Sequence, residues 1–446
     1  MFRTVTALSV RLVQNYLPSP FVFCILLTVL VYAAAVLAGG QTPAAAADAW
    51  GRGLWSLLGF SMQMALILAT GHVLAKAPAV SRLLDGLAAR VRSPRTAVVT
   101  VTLVSLAACW INWGFGLVVG AVLAKALARQ VKGADYPLLV ASAYSGFLIW
   151  HGGLSGSIPL ALATEGADLL KMSGGTVQTA VPVAETLFSP LNLSIVAGLL
   201  VGLPLMNMLM MPKNPVAVEA AKLREPEIVP PPRDTPAQRW DDSRLAALVP
   251  AVLGGVYLYG HFSGKGFNLA LNIVIAVFLF AGLLAHGTPE RYGRAVEESV
   301  KGIAGIVLLF PFYGGIMGLM TAAPEGGMSL AAVVSNAFAA WSDSRSFPVL
   351  AFLSAGLVNV FVPSGGGQWA VQGPIMLPAG VELGVSPVVS AMAVAWGDAW
   401  TNMVQPFWAL PLLGIAGLDA RAVMGYCLMA LLYSGLLISA VFLFLV

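Results

Sequence analysis

The chain has 446 residues, 58% of them hydrophobic and only 10% charged, with a mean hydropathy of +0.85. Soluble domains carry about 25% charged residues, so this composition excludes one and specifies an integral membrane protein. The net charge of +4 comes from basic residues gathered in loops, which reports orientation in a bilayer and not a nucleic-acid partner.

A helix needs about 20 apolar residues to cross about 30 Å of hydrocarbon. Spans are predicted at 20–39, 54–75, 188–211, 244–262, 267–285, 302–322 and 422–445, an all-α polytopic bundle and not a barrel. Arg3 and Arg11 precede an apolar run that resembles a signal peptide, but its length favours a retained first span with the N-terminus inside. The weakly charged 40–53 loop then falls outside. Lys76, Arg82, Arg90, Arg92 and Arg95 place the next loop inside, as do Lys125, Arg129 and Lys132. Cys24, Cys109 and Cys427 lie in apolar segments and form neither a disulfide framework nor a metal cluster.

Between the two basic clusters lies one apolar stretch, 97–124, broken at Trp110-Ile111-Asn112-Trp113-Gly114-Phe115-Gly116. Its arms, of about 15 and 10 residues, are too short to cross, so the expectation is a re-entrant hairpin from the cytoplasm. Residues 136–165 follow as a helix interrupted around His151-Gly152-Gly153-Leu154-Ser155-Gly156-Ser157, and 188–211 return. The Pro-rich 212–243 segment reads as a cytoplasmic linker. After a connecting span in 244–266, the order repeats: spans from 267 and 302, a broken hairpin at 346–383, a broken helix at 387–413 and a last span.

Positions 20 and 267 differ by 247, as do Asn112 and Asn359, while Pro137 and Pro387, like Trp150 and Trp400, differ by 250. A near-constant offset marks duplication. Residues 1–211 and 267–446 are thus expected to be inverted repeats. The extra span reverses the second, so its hairpin enters from outside and the C-terminus lies outside. Sparse identity leaves the alternative that apolar helices resemble one another by composition.

Breaks inside membrane helices expose backbone amides that lipid cannot satisfy, and paired breaks in the two halves of a transporter point to its binding site. A helix resuming after a break aims amides and a partial positive charge at the gap, which suits a carboxylate. Asn112, Trp113 and Gly114 in one tip, and Asn359, Ser364, Gly365, Gly366, Gly367 and Gln368 in the other, are therefore candidate substrate contacts, with Trp150 and His151 beside them. Neither tip holds Lys or Arg, which favours a small monoanion over a dianion or phosphate. The plainer alternative is that Asn caps a helix and Gly turns the chain. The Gly triplet lacks the Lys-Ser/Thr ending and strand context of a nucleotide-binding loop, and Gly116 with Gly120 reads as a close-packing pair.

Asp398 is the one carboxylate well inside a predicted span, so it should face a cavity and have a partner. It is the candidate for cation or proton coupling, with Asn402, Gln405, Ser155 and Ser157 supplying oxygens; a sodium site is expected near Asn112, Asn359 and Asn402. A structural role for Asp398, satisfied by Asn402 or a backbone amide, is the alternative. His151 and, less so, His72 are candidates for proton transfer. Trp113, Phe115, Trp150, Trp369, Trp400, Phe407 and Trp408 offer apolar walls for a short acyl tail. No cofactor is expected beyond sodium or protons as coupling ion.

The runs Cys109-Trp110-Ile111-Asn112-Trp113-Gly114-Phe115-Gly116-Leu117-Val118-Val119-Gly120, Val362-Pro363-Ser364-Gly365-Gly366-Gly367 and Asn402-Met403-Val404-Gln405-Pro406-Phe407-Trp408-Ala409-Leu410-Pro411 resemble the bacterial short-chain fatty acid transporter family, the AtoE type. The likeness runs from Leu17-Pro18 to Met424-Gly425-Tyr426-Cys427. It implies an ion-transporter fold with a scaffold and a mobile elevator domain formed by the hairpins and broken helices. It also implies a homodimer in the bacterial inner membrane and import of acetoacetate- or butyrate-like monocarboxylates. In the family pattern His follows the Gly triplet where this chain has Gln368, Glu stands where it has Asp398, and Gly where it has His151. These departures bear on which residue carries a proton. Dicarboxylate transport, a channel, or an intramembrane serine hydrolase built on Gly153-Leu154-Ser155-Gly156 with His72 or His151 as base are the alternatives.

Overall fold

The computed structural model describes residues 2–216, 234–266, 271–300 and 303–446. Every regular element among them is helical. Seven helices are long and apolar enough to cross a membrane, among them Pro20–Leu37, Pro190–Leu209, Arg244–Gly264, Ala304–Thr321 and Ala420–Leu445. Most of the 212–243 linker, including Pro226, Pro230, Pro231 and Pro232, lies outside the described residues, as do the first residues of the span expected from 267 and residue 302 of the next.

Helix starts follow local chemistry. Proline, which lacks the amide that a first turn leaves unpaired, opens the helices at Pro20, Pro43, Pro94, Pro190, Pro387 and Pro406. Ser93 and Thr96 form a capping box, and Asp135, Ser189 and Ser329 each accept a first-turn amide.

Both broken hairpins form. The first pairs Pro94–Ile111 with Trp113–Gln130, each 18 residues or about 27 Å long. These arms are longer than the apolar run suggested, because the capping box and the last-turn Lys125–Gln130 stretch carry helix on through polar sequence. A Cβ on Gly116 would lie 2.5 Å from the Cys109 amide nitrogen, so close packing of the arms is the reason for glycine there. The second hairpin pairs Phe347–Phe361 with Gly365–Glu382. The first broken helix runs through Tyr136–Ser145 into a 3-10 stretch, Gly146–Gly152, and resumes at Ser157–Leu162. The second runs through Pro387–Thr401 and a 3-10 turn to Pro406–Ala416.

Each hairpin packs on a broken helix, Pro94–Ile111 on Gly146–Gly152 and Phe347–Phe361 on Pro387–Thr401. Helices not anticipated include an N-terminal one, Phe2–Tyr16, a separate Pro43–Gly53 helix ahead of Leu58–Lys76, and Pro78–Ala89, Pro289–Val300 and Leu330–Ala340. The N-terminal helix rests on the last one, where Ser9 Oγ donates to the Gly425 carbonyl at 2.8 Å. Arg421 Nε reaches the Leu17 carbonyl at 3.0 Å and Tyr136 the Ala416 carbonyl at 2.7 Å, so the N-terminus, the base of the first broken helix and the start of the last helix share one end.

Candidate functional site

At the first tip the helix stops because Asn112 adopts extended backbone (φ −155°, ψ 126°), and restarts because its side chain accepts the Phe115 amide at 3.1 Å. At the second tip the equivalent cap is Ser364, whose Oγ accepts the Gly367 amide at 3.3 Å. Asn359 is therefore not the counterpart of Asn112 that the constant offset suggested. It sits in the last turn of the first arm, fully buried, where its Nδ2 donates to the Asp398 carbonyl at 2.6 Å and to Thr401 Oγ1 at 3.0 Å. Gln405 Nε2 donates to the Asn359 carbonyl, and Asn359 Oδ1 has no partner among the described residues.

The first tip is clamped to the break of the first broken helix. The Leu154 amide donates to the Trp110 carbonyl at 2.8 Å, Trp110 Nε1 to the Gly152 carbonyl at 3.1 Å, and the Trp113 amide to Ser155 Oγ at 3.0 Å. Ser155 thus acts as a backbone acceptor at the tip, and Ser157 opens the resumed helix. Between the broken helices, Trp150 Nε1 donates to Asn402 Oδ1 at 2.9 Å and the Tyr144 hydroxyl to the Asn402 carbonyl at 2.6 Å.

Both tips converge on Trp150. Its ring centroid is 6.3 Å from that of Trp113, and a Cβ placed on Gly365 would lie 3.1 Å from its outer ring edge. Phe147 stacks on Trp150 at 5.7 Å, and Trp408 lies 5.4 Å from both Phe147 and Trp113. These rings form an apolar wall in contact with both tips. Trp400 stands apart from it, its Nε1 on the Leu431 carbonyl at 2.7 Å.

Gly365 and Gly366 open a helix, so their amides lack intrahelical acceptors and are the donors on offer to an anion. Gly366 is exposed, whereas Asn112, His151, Asn359 and Asp398 are buried. Gln368 points back between the arms, donating to the Ala355 carbonyl at 2.8 Å and Gln372 Oε1 at 2.7 Å; Gln372 continues to Ser335 and Ser354. Of the three asparagine oxygens expected around sodium, Asn112 Oδ1 holds a backbone amide and Asn402 Oδ1 holds Trp150; Asn359 Oδ1 is unengaged.

His151 and Asp398 come together: Nδ1 lies 3.3 Å from Oδ1 and both side chains are fully buried. Sequence reading singled out each without pairing them, because 247 residues of chain separate them. It also passed over Asn192, a fully buried amide in an apolar span that donates to the Gly152 and Leu187 carbonyls and accepts from Trp396 Nε1 at 3.0 Å. Side-chain amides at Asn192 and Asn207 inside one hydrocarbon-length span were the signal available.

The chain matches the short chain fatty acid transporter family over residues 1–445. It is 44% identical over 442 residues to an Escherichia coli K12 protein named for short-chain fatty acid transport, covering 98% of both chains. A Haemophilus influenzae protein of the same name is 42% identical over 445 residues, covering 97% of this chain and 98% of that one. Among solved structures, the Alcanivorax borkumensis YdaH transporter superposes with a TM-score of 0.41 at 17% identity, covering 95% of this chain and 98% of that one. With apolar helices sufficient for several membrane crossings and a family match from end to end, the chain belongs to the short-chain fatty acid transporter family, a family of membrane transporters and not of enzymes.

Proposed function

We propose that this chain is a secondary active importer of short-chain monocarboxylates of the acetoacetate or butyrate type, driven by co-transported protons or sodium. The observation that carries the reading is the convergence of two capped tips on Trp150, with free amides at Gly365 and Gly366 and an aromatic wall alongside. A carboxylate fits the amide end and a short acyl chain fits the rings. No Lys or Arg stands in either tip, which disfavours dianions.

The hairpins and broken helices would move together as the transport unit of an elevator, in a homodimer in the bacterial inner membrane. Support for inverted repeats comes from the matching order, hairpin then broken helix, in each half. The opposite approach of the hairpins adds to it. Pro94 at the base of the first lies by Gly133 at the N-terminal end, whereas Gly373 and Pro374 in the second lie against Met172 and Gly174, beyond the resumed helix. With the basic loops inside, this arrangement supports a cytoplasmic N-terminus and an outside C-terminus.

Purified protein in liposomes, given labelled butyrate or acetoacetate and imposed pH or sodium gradients, tests the reading. Saturable accumulation above protein-free vesicles, dependent on one of the gradients, is expected. Uptake that saturates only with dicarboxylates would move the substrate class, and conductance without gradient-driven accumulation would make the protein a channel.

A further inference from the structure

Asp398 and His151 are each buried to zero exposure, and Nδ1 and Oδ1 stand 3.3 Å apart. Neither ring nitrogen and neither carboxylate oxygen has a well-formed hydrogen bond to any other group among the described residues. Buried polar atoms left this open are rare in native proteins and mark a functional demand on the group. The imidazole is also held in place: Trp150 stacks on it with centroids 3.8 Å apart. Its other edge faces the second tip, where a Cβ on Gly365 would lie 2.9 Å from Cε1 and 3.0 Å from Nε2. One nitrogen thus lies by the carboxylate and the other beside Gly365, which opens the helix of the second tip.

Other titratable groups on the elements packed around the pair stand elsewhere. Arg95, Lys125 and Arg129 occupy the outer turns of the first hairpin's arms, and Glu382 ends the second hairpin's last arm. Tyr136 and Tyr144 donate to backbone carbonyls at Ala416 and Asn402. Cys109 lies against Gly116 between the hairpin arms. On the Val183–Thr186 turn and the last helix, Glu185, Arg421, Tyr426, Cys427 and Tyr433 make no ion pair or hydrogen bond with His151 or Asp398.

Resting on the transport reading above, we propose that His151 and Asp398 form a single proton-loading unit that takes up one proton for each monocarboxylate bound at the second tip. With one shared proton the pair is neutral, the charge state that a buried site tolerates best. Binding a monoanion to that state would leave a net charge of minus one. A second proton, taken from bulk water, gives a carboxylic acid at Asp398 and an imidazolium at His151, whose Nε2–H donates toward the substrate carboxylate. The loaded site is then neutral again, and the substrate and proton move as an uncharged set.

The test is calorimetry of butyrate binding to the full chain in lipid nanodiscs, at one pH in buffers of differing ionisation enthalpy, repeated across pH 6 to 9. Wild type is expected to take up close to one proton per butyrate, with Kd rising about tenfold per pH unit at the alkaline end. His151→Gln is expected to bind more weakly with proton uptake near zero and a flat pH profile. Butyrate binding by wild type without proton uptake overturns the inference whatever the variant does, and undiminished uptake in His151→Gln assigns the proton elsewhere and overturns it too. Failure of wild type to bind butyrate would instead reject the substrate reading on which the inference rests.

Discussion

Gly153→Ala tests the clamp between the first tip and the first broken helix. Gly153 has φ −119°, ψ −178°, a conformation open to alanine, so any effect is steric and not conformational. The added Cβ would lie 2.3 Å from the Trp110 carbonyl oxygen, 2.8 Å from its Cα and 2.9 Å from its carbonyl carbon, all backbone that cannot rotate away. Ordinary contact needs about 3.4 Å, so the tip must retreat by about 1 Å. That retreat lengthens the Leu154 amide bond to the Trp110 carbonyl, now 2.8 Å, and the Trp110 Nε1 bond to the Gly152 carbonyl, now 3.1 Å. Two weakened hydrogen bonds at about 1 kcal/mol each, with about 1–3 kcal/mol of overpacking, give a loss of about 3–5 kcal/mol. The melting midpoint in detergent should fall by several degrees and butyrate uptake in liposomes by at least tenfold. Gly366→Ala is the steric control for stability, because its Cβ meets no heavy atom within 4 Å and melting should not change. Wild-type melting and uptake in Gly153→Ala would refute the clamp.

Asn112→Ala removes a helix cap at a buried tip, costing about 1 kcal/mol of stability, and should reduce uptake to background while the protein still inserts; normal uptake would remove Asn112 from the site. Asn359→Ala strips donors from the Asp398 carbonyl and Thr401, and should cost about 2–4 kcal/mol and abolish uptake, measured by melting and transport together. Ser155→Ala leaves the Trp113 amide without its acceptor and should lower uptake several-fold; unchanged transport would make that bond incidental. Asn192→Leu leaves the Leu187 carbonyl and Trp396 Nε1 without the partner they now have and the Gly152 carbonyl with Trp110 Nε1 alone, and should lower the melting midpoint more than Ser155→Ala does; equal midpoints would show the network to be slack.

The fold was legible where it rests on hydropathy and helix-stop chemistry. The long apolar helices, both hairpins and both broken helices stand close to where apolar length and Gly, Pro and Asn placed them, since lipid leaves the backbone no alternative to a helix. The amphipathic Phe2–Tyr16 helix escaped because its apolar face is periodic and not continuous, and the hairpin arms were cut short because polar residues at their bases carry no hydropathy signal. At the site, the Asn112 cap and the buried Asp398 were readable as single residues. The partnership of His151 with Asp398 and the bracing by Asn192 were not, because both depend on how the two halves of the chain interleave. The constant 247-residue offset also misled at one point. It matched Asn112 to Asn359, whereas the capping role in the second tip falls to Ser364, five residues later, and Asn359 braces the second broken helix instead.

That asymmetry has a physical consequence for an anion carrier. An inside-negative potential of about 100 mV opposes entry of one negative charge by about 2.3 kcal/mol, a factor of roughly fifty. A fixed arginine at either tip would neutralise the substrate but would also cross the membrane with the empty carrier, so its charge could not couple influx to an ion gradient. In the proposed import scheme, amides and helix ends would bind the carboxylate without adding charge to the returning site, leaving neutralisation to an ion that boards with the substrate. Both tips fit this scheme, with caps of Asn112 and Ser364 in place of cations. The second tip has the His151 ring of the first broken helix at its edge, so in the proposed scheme charge balance is set where the two halves of the chain meet. An arginine introduced at Ser364 separates the two designs: it should raise anion affinity while abolishing gradient-driven accumulation, and accumulation that survived the substitution would show that neutralisation does not depend on a co-moving ion.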